Sequence, residues 1–352
     1  MNVRPTTGFR SCRMASAVLL ASLFFSGPVA AEDHAPWPVK EKLIGKKDKK
    51  SEDVSGIACA SPTGFPRTCM VIDDNLQGAQ VVIVRDGEIT AGQFIPLITN
   101  TRKGKPLELD GEGIAYADGS FYVIGSHGHP RDKDHELHPK KDAAEIRARI
   151  EASSQLIRVK IDVASDGKLK TAAEIEASGR LREFLGAQAD LKPWIDQRLE
   201  KNGLTIEGVA IRDKRLFAGM RGPLLDGNQA AIFSVALNSL FGNAAPEAEL
   251  KTLDLAGRGV RDLVAFDQGF LILAGPAGET EGMTGNYAVY FWDGDGERKK
   301  LAELPKFAAK DDKQAKPEAL LPLDRSSGKL RILVLFDGPK EGAPRAFEIM
   351  SP

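Results

Sequence analysis

The sequence has little net charge, few cysteines and none of the common catalytic motifs. Its 48 lysines and arginines nearly balance 49 aspartates and glutamates over 352 residues. A near-neutral chain gives no reason to expect nucleic acid or an anionic membrane surface as a partner. It contains no P-loop, no GxGxxG turn that opens a helix, no GxSxG elbow and no HExxH. Function therefore has to be sought in other patterns.

Long apolar runs are also scarce, since the chain has only one, Ala15–Phe25, close to its start. Three arginines precede this run and small residues follow it, which predicts an export signal that is cleaved after Ala31. The run is short for a transmembrane helix, although an uncleaved N-terminal anchor is the alternative. No cysteine lies at the cleavage point, so no lipoprotein anchor is expected. We expect a periplasmic or secreted protein of residues 32–352, without a further membrane segment.

Two of the three cysteines, Cys59 and Cys69, lie in the predicted exported part of the chain. They occupy neighbouring predicted strands that flank a proline-rich loop. Antiparallel pairing can bring such residues within bridging distance, and an exported protein favours oxidation. We predict a disulfide between them, and the alternative is a pair of buried free thiols.

A polar residue followed by small and apolar residues recurs along the chain, as in GEGIAYA (111–117) and IEGVAIR (206–212). The aligned polar residues lie 57, 95, 55 and 56 positions apart, and they are Ser55, Glu112, Glu207, Asp262 and Glu318. Each motif is followed by a turn and by further apolar, β-branched runs that are typical of strands. The chain is therefore built from five repeats.

Four strands per repeat predict an all-β protein, a five-bladed β-propeller that forms one domain. The fifth repeat is one strand short, and residues 39–47 are predicted to supply its outer strand and so close the ring. Two segments of helical composition, about 135–153 and 179–203, account for the one long spacing and are predicted insertions. A six-bladed ring, with one insertion as a degenerate blade, is the alternative.

The five aligned polar residues are predicted to surround the central channel. Four carboxylates about 7 Å apart repel one another by roughly 2 kcal/mol per pair at an effective dielectric constant of about 20. Protonation, solvent screening or a bound cation can relieve this repulsion. Oxygen-only ligands favour a hard cation such as Ca²⁺, which predicts a calcium site. The alternative is a wet channel, in which the acids are solvated or bond to backbone amides.

The motifs SGIA, DGEGIAY, TIEGVAI and MRGP resemble an uncharacterised family of bacterial secreted proteins, a domain of unknown function. The inner motif alone resembles calcium-activated nucleotidases (apyrases), five-bladed propellers with a central Ca²⁺. That resemblance implies four metal ligands, Ser55, Glu112, Glu207 and Glu318. Asp262 departs from the serine expected there but also carries ligand oxygens. A looser similarity leads to phytase-like and esterase-like secreted propellers.

The loops after the second strands are predicted to open on the same face as the channel acids. They carry Asp74, His127 and Arg221, which are candidate catalytic residues. The arginine can bind an oxyanion and the histidine can act as an acid or base near neutral pH. Two functions follow: binding of a small anionic ligand or an envelope component by a monomer, or calcium-dependent hydrolysis of phosphate or other esters. A histidine-rich loop, residues 127–138, is not expected to form a specific metal site.

Overall fold

In the computed structural model, five four-stranded blades form a closed ring, a five-bladed β-propeller. The structure describes residues 1–3, 32–33, 35–131, 136–278, 286–309 and 314–352. The predicted signal segment thus lies almost wholly outside the described residues, as does His135. The innermost strands contact one another in a closed cycle. The predicted fold class is confirmed.

The strands of each blade run antiparallel and follow one another from the axis outwards, with the exception of the outer strand of blade 5. In blade 1 they are Val54–Cys59, Arg67–Asp73, Gly78–Arg85 and Glu88–Pro96. In blade 2 they are Gly111–Ala117, Ser120–Gly125, Leu156–Lys160 and Glu174–Ser178. In blade 3 they are Thr205–Arg212, Arg215–Leu225, Gln229–Ala236 and Glu249–Leu253.

The last two blades complete the ring. In blade 4 the strands are Gly259–Phe266, Gly269–Gly275, Ala288–Trp292 and Arg298–Glu303. In blade 5 they are Lys316–Ser326, Lys329–Asp337, Arg345–Met350 and Glu32–Asp33. Thr101–Arg102 and Lys105–Pro106 form a separate two-stranded ribbon before blade 2.

The helices lie mostly in the two predicted insertion segments. The α-helices are Ala143–Ser153, Arg180–Ala187 and Leu237–Phe241. In the part of the chain that the structure describes, the short 3₁₀ turns are Lys46–Asp48, Lys192–Trp194, Leu199–Lys201 and Lys340–Gly342. The first helix lies between the second and third strands of blade 2, and the second helix follows that blade's outer strand.

The prediction for the closing strand chose the wrong residues. Glu32–Asp33 pairs with Arg345–Met350 of blade 5, whereas Val39–Lys40 adds in parallel to the outer strand of blade 1. The cause is the position of Trp37, which is buried in the hydrophobic cluster between blades 5 and 1 and donates its backbone N–H to Pro344 O at 2.7 Å. The chain has therefore crossed from blade 5 to blade 1 before residue 39.

The core is divided among the interfaces between blades. The described residues form five hydrophobic clusters, and each is made by two neighbouring blades. Phe270 and Trp292, for example, stack with ring centres 5.1 Å apart in the cluster between blades 3 and 4. Because each blade is covered on both faces, its middle strands are buried almost continuously, as in Ser120–Gly125.

Every innermost strand carries an irregularity at the repeat position, where its pairing with the second strand skips one residue. A β-bulge of this kind re-aims one side chain and is frequent next to functional sites. The skipped residues of the five blades, in order, are Ser55, Glu112, Glu207, Arg261 and Glu318. The bulges therefore define the equivalent positions around the axis.

The residue after each bulge faces the next blade, and three of the five are glycine. A Cβ atom on Gly208 would lie 2.7 Å from the backbone nitrogen of Leu263 in blade 4. A Cβ on Gly113 would lie 3.0 Å from Glu207 O in blade 3. The innermost strands thus approach too closely for a larger side chain.

We expect Gly208→Ala to lower the free energy of unfolding by about 1–3 kcal/mol, because the added methyl group forces neighbouring backbones apart. Gly296→Ala is the matched control, since a Cβ there meets no atom within 4 Å. Denaturant unfolding of both variants measures the difference. Equal stabilities would contradict the close approach of the innermost strands.

The predicted disulfide is confirmed. Cys59 and Cys69 are direct cross-strand partners in blade 1 and are bonded to each other. The bond closes a segment with a sequence separation of 10. A disulfide of this kind indicates an oxidising compartment. Within the described ranges, no helix is long and apolar enough to cross a membrane.

Candidate functional site

A cavity of about 690 Å³ opens at the mouth of the ring, where the innermost strands begin. Its lining is strongly charged and comes from both the blades and the insertions. Its acids from blades 1 and 2 include Asp53, Asp74, Asp110 and Glu112. Its basic and imidazole side chains include His129, Arg131 and Arg149, which lie between the second and third strands of blade 2, and Arg198 of the second insertion.

The repeat position of blade 4 is occupied by a cation of the protein itself. The alignment of the sequence placed Asp262 there, but the bulge register assigns Arg261. Arg261 is 1% exposed and contacts the carboxylates of both neighbouring blades, Glu207 and Glu318. The sequence alignment was one residue out of register because it paired residues of the same charge. The packing of the blades instead makes Asp262 equivalent to the glycine that follows the bulge in blades 1, 2 and 3.

Asp262 takes the position that is glycine in blades 1, 2 and 3, and it fastens blade 4 to blade 5. Its carboxylate accepts the backbone N–H groups of Leu263 and Leu320, each at 2.7 Å. Burial raises the pKa of this carboxyl to about 8 although both hydrogen bonds oppose the shift. Its acceptor capacity is directed at the backbone, which gives Asp262 a structural role.

Glu207 and Glu318 are both neutralised by arginine. Oε1 of Glu207 accepts Nη1–H of Arg221 at 2.9 Å, and its Oε2 lies 2.9 Å from Nε of Arg261 in an ion pair without hydrogen-bond alignment. Glu318 accepts a hydrogen bond from Nη2 of Arg261. Breaking such a buried pair by removing one partner costs about 3–5 kcal/mol. The carboxylates of these two acids are therefore already engaged in buried ion pairs of the ring.

A second group of acids lies at the mouth between blades 1 and 2. Asp74, Asp110 and Glu112 each offer a carboxylate oxygen, and these oxygens lie within 4.8 Å of one another. Asp74 also belongs to a second such group, with Asp53 and Asp73. The strands explain this convergence: Asp53 and Asp110 directly precede innermost strands, and Asp74 directly follows the second strand of blade 1.

Glu112 is the unusual member of this group. It is 8% exposed, and no described residue donates a hydrogen bond to it or forms an ion pair with it. Burial and the nearby charges of Glu207, Asp110 and Asp74 raise its pKa well above the ordinary value. A buried carboxylate without a compensating partner is costly. The residues present thus fit a hard cation, which would neutralise Glu112 and its neighbours.

The other acids of the group have partial compensation. Asp110 accepts a hydrogen bond from Ser126, which opposes the rise that burial causes in its pKa. Burial also raises the pKa of Asp74 well above its ordinary value, with repulsion from Asp110 and Asp53 as the next causes. Asp73 accepts the Ser51 hydroxyl at 2.6 Å, and burial raises its pKa to about 7. Acidic groups therefore accumulate at the mouth between blades 1 and 2.

His127 does not face the cavity. It is fully buried at the end of the second strand of blade 2, with φ of 55°, and neither ring nitrogen has a hydrogen-bond partner among the described residues. Burial lowers its pKa to about 3, so the ring is neutral at physiological pH. His129 lines the cavity instead. Its Nδ1 lies 2.9 Å from Pro130 O, and burial lowers its pKa as well.

The predicted site residues therefore separate into groups. Asp74 and Glu112 come together, whereas Arg221 joins Glu207 and Arg261 in the ion-paired part of the ring. Ser55 is buried at its bulge, where its Oγ lies 3.5 Å from Asp53 O. Sequence reasoning missed Asp53 and Asp110. Both lie two residues before the repeat position, in DVSGIA and DGEGIA, and this shared spacing was the available indication.

Comparison with known proteins identifies the family. The family model "Protein of unknown function (DUF3616)" matches residues 75–346. The chain belongs to this family. No curated protein matches this DUF3616 chain.

Several solved structures resemble this DUF3616 protein at low identity. An exo-β-1,3-galactanase from Phanerochaete chrysosporium shares 9% identity at a TM-score of 0.45, over 90% of this chain and 63% of that chain. The chain thus spans less than two thirds of that galactanase. A hypothetical protein from Leishmania major shares 10% identity at a TM-score of 0.38, over 93% and 91% of the two chains. Likeness at this level does not extend to activity or substrate.

In this DUF3616 protein, buried His127 predicts a loss of stability in acid. The folded state keeps the ring neutral down to pH about 3, whereas the unfolded chain takes up a proton near the ordinary pKa of 6.5. The contribution of His127 to the free energy of unfolding is complete above pH 6.5 and declines below it. Relative to His127→Asn, the wild type should lose about 1.4 kcal/mol of unfolding free energy per pH unit between pH 6 and 4.

Denaturant unfolding at several pH values measures this difference. Asparagine is chosen because it tolerates a positive φ. His138→Asn removes an exposed histidine and serves as the control. Parallel pH profiles of the wild type and His127→Asn would contradict the neutral, buried state of this ring.

Proposed function

We propose that this protein is an exported, calcium-binding propeller whose cation lies off the axis, at Asp74, Asp110 and Glu112, and serves the binding of a small ligand in the mouth cavity. The observation that carries the proposal is Glu112, a buried carboxylate without a described partner beside two further acids. Asp53 lies at the edge of the same site through its group with Asp74.

The chemistry of the donors favours calcium among the common cations. All side-chain donors at the site are carboxylate oxygens, which suit hard cations and not the soft or imidazole-seeking transition metals. Ca²⁺ accepts six to eight oxygens in loose geometry, so a shallow group that leaves positions for water or a ligand is sufficient. Mg²⁺ requires nearly ideal octahedral coordination, which is harder to achieve with acids on an open cavity wall.

Three of the four other predicted axial ligands have other partners in this proposal. Glu207 and Glu318 are held by Arg261, so a cation beside them would repel the guanidinium group. Asp262 accepts two backbone N–H groups. The proposed site therefore retains Glu112 from the predicted ligand set and adds the aspartates at the mouth.

Export is supported by the sequence and by the disulfide. The apolar run near the start of the chain has the composition of a secretory signal. The bond between Cys59 and Cys69 indicates an oxidising environment. Extracellular and periplasmic calcium concentrations suit a site of modest affinity.

We expect the wild type to bind Ca²⁺ in calorimetry and Glu112→Gln to bind it about ten- to hundred-fold more weakly, because one charged ligand is lost. Glu318→Gln is the matched control. It removes the same carboxylate at the equivalent position of blade 5, where Arg261 is already its partner. Its calcium affinity should fall much less than that of Glu112→Gln, because the charge of Glu318 acts on Asp74 and Glu112 only through space.

Unchanged binding by Glu112→Gln, or equal losses in both variants, would refute the off-axis site. Asp74→Asn provides a second variant of the same site, since Asp74 belongs to both acid groups. Circular dichroism of each variant establishes that it is folded before the titration.

A calcium-dependent hydrolase is the second candidate, and one observation favours it. His129 lines the cavity, its Nδ1 contacts Pro130 O, and its Nε2 has no hydrogen-bond partner among the described residues. A neutral imidazole in this arrangement suits a general base. Release of p-nitrophenol from p-nitrophenyl phosphate or acetate, lost in His129→Asn with calcium affinity intact, would support hydrolysis. No release by the calcium-loaded wild type would favour a binding role.

A further inference from the structure

The mouth cavity is lined by both acidic and basic side chains. Asp74, Asp110 and Glu112 belong to blades 1 and 2, whereas Arg198 belongs to the insertion that follows blade 2. Arg131 and Arg149 lie close enough to Asp110 for their charges to lower its pKa, against the larger opposing effect of burial. A cation bound at Asp74, Asp110 and Glu112 would offset part of the negative charge of this lining and add a positive centre to the basic groups, which suits an anion bound between them.

Arg198 is a basic group of the lining whose described partners a ligand can replace. Its described partners are Glu136, whose side chain is 76% exposed, and Glu200, whose side chain is 40% exposed and lies 3.4 Å from Nε. Exposed ion pairs of this kind contribute only about 0–1 kcal/mol. An anion in the cavity can therefore replace them at little cost, in contrast to the buried pairs of Arg261 with Glu207 and Glu318.

We propose that the cavity binds a small oxyanion, a phosphate or a carboxylate group, between Arg198 and the cation at Asp74, Asp110 and Glu112. The inference rests on the proposed calcium site. A guanidinium group presents two parallel N–H donors to such an anion, and calcium accepts further oxygens beyond its protein ligands. A cavity of about 690 Å³ also has room for the organic part of a small ligand.

His129 lies near Arg198. Burial is the main cause that lowers the pKa of its imidazole, and the charge of Arg198 lowers it further. With Nδ1–H donated to Pro130 O, Nε2 is an acceptor. It can accept a hydrogen bond from a hydroxyl group on the ligand or on a protonated phosphate. Arg198 therefore supplies a donor fork and His129 a neighbouring acceptor, a combination that selects an oxyanion of a hydroxylated molecule.

The test is calorimetric titration of the full mature chain, loaded with Ca²⁺, with methyl phosphate and, in a separate arm, with acetate. We expect at least one of them to bind, and the tighter one identifies the source of the oxyanion. Arg198→Gln should weaken that binding about ten- to hundred-fold through the loss of charge-assisted hydrogen bonds, with unchanged calcium affinity. Linkage requires the bound anion to raise calcium affinity by the same factor by which calcium raises anion affinity.

Lys192→Gln is the matched control, because it removes one exposed positive charge from the same insertion outside the cavity lining. Equal weakening by both substitutions, or none by Arg198→Gln, would overturn the proposal. Failure of the two anions to bind calcium-loaded protein would also overturn it and leave the calcium site standing. Failure of the wild type to bind calcium at all would instead refute the proposed function.

Discussion

The ion pairing of Arg261 with the carboxylates of Glu207 and Glu318 determines which acids of the ring are left for other partners. Burial alone would lower the pKa of this guanidinium group, and the two carboxylates raise it again, so the charge is secure inside the ring. One built-in cation thus joins blades 3, 4 and 5. Glu112 has no ion-pair or hydrogen-bond partner among the described residues, although the charge of Arg261 acts on it through space, and the acids Asp74 and Asp110 lie close to it.

The difference between blades 1 and 2 and blades 3 to 5 also follows from the way in which the blades pack. Glycine after the bulge lets blades 1, 2 and 3 each approach the next blade closely. Asp262 replaces that glycine in blade 4, and its carboxylate accepts the backbone N–H of Leu320 in blade 5. Blades 3 to 5 are therefore linked by polar contacts at the axis. Blades 1 and 2 carry the acids Asp53 and Asp110 immediately before their innermost strands. The ring has one structural half and one half suited to a cation.

Much of the fold could be predicted because the repeat places one strand pattern five times along the chain. The disulfide followed in the same way, since Cys59 and Cys69 are local cross-strand partners. The register of blade 4 could not be predicted by matching charges, because the packing of neighbouring backbones selects the small position, which Asp262 fills. Closure by Glu32–Asp33 depended on where Trp37 packs, and the burial of His127 depended on the loops that cover it. Such tertiary contacts leave no local pattern in the sequence.

The most direct measurement is a crystal structure of the protein grown with Ca²⁺ and compared with one soaked in a lanthanide, with anomalous scattering used to locate the ion. The account predicts an anomalous peak at the mouth between blades 1 and 2, within coordination distance of Asp74, Asp110 and Glu112. A peak on the axis beside Glu207 and Glu318, with Arg261 displaced, would contradict it, as would the absence of any peak at the acid group.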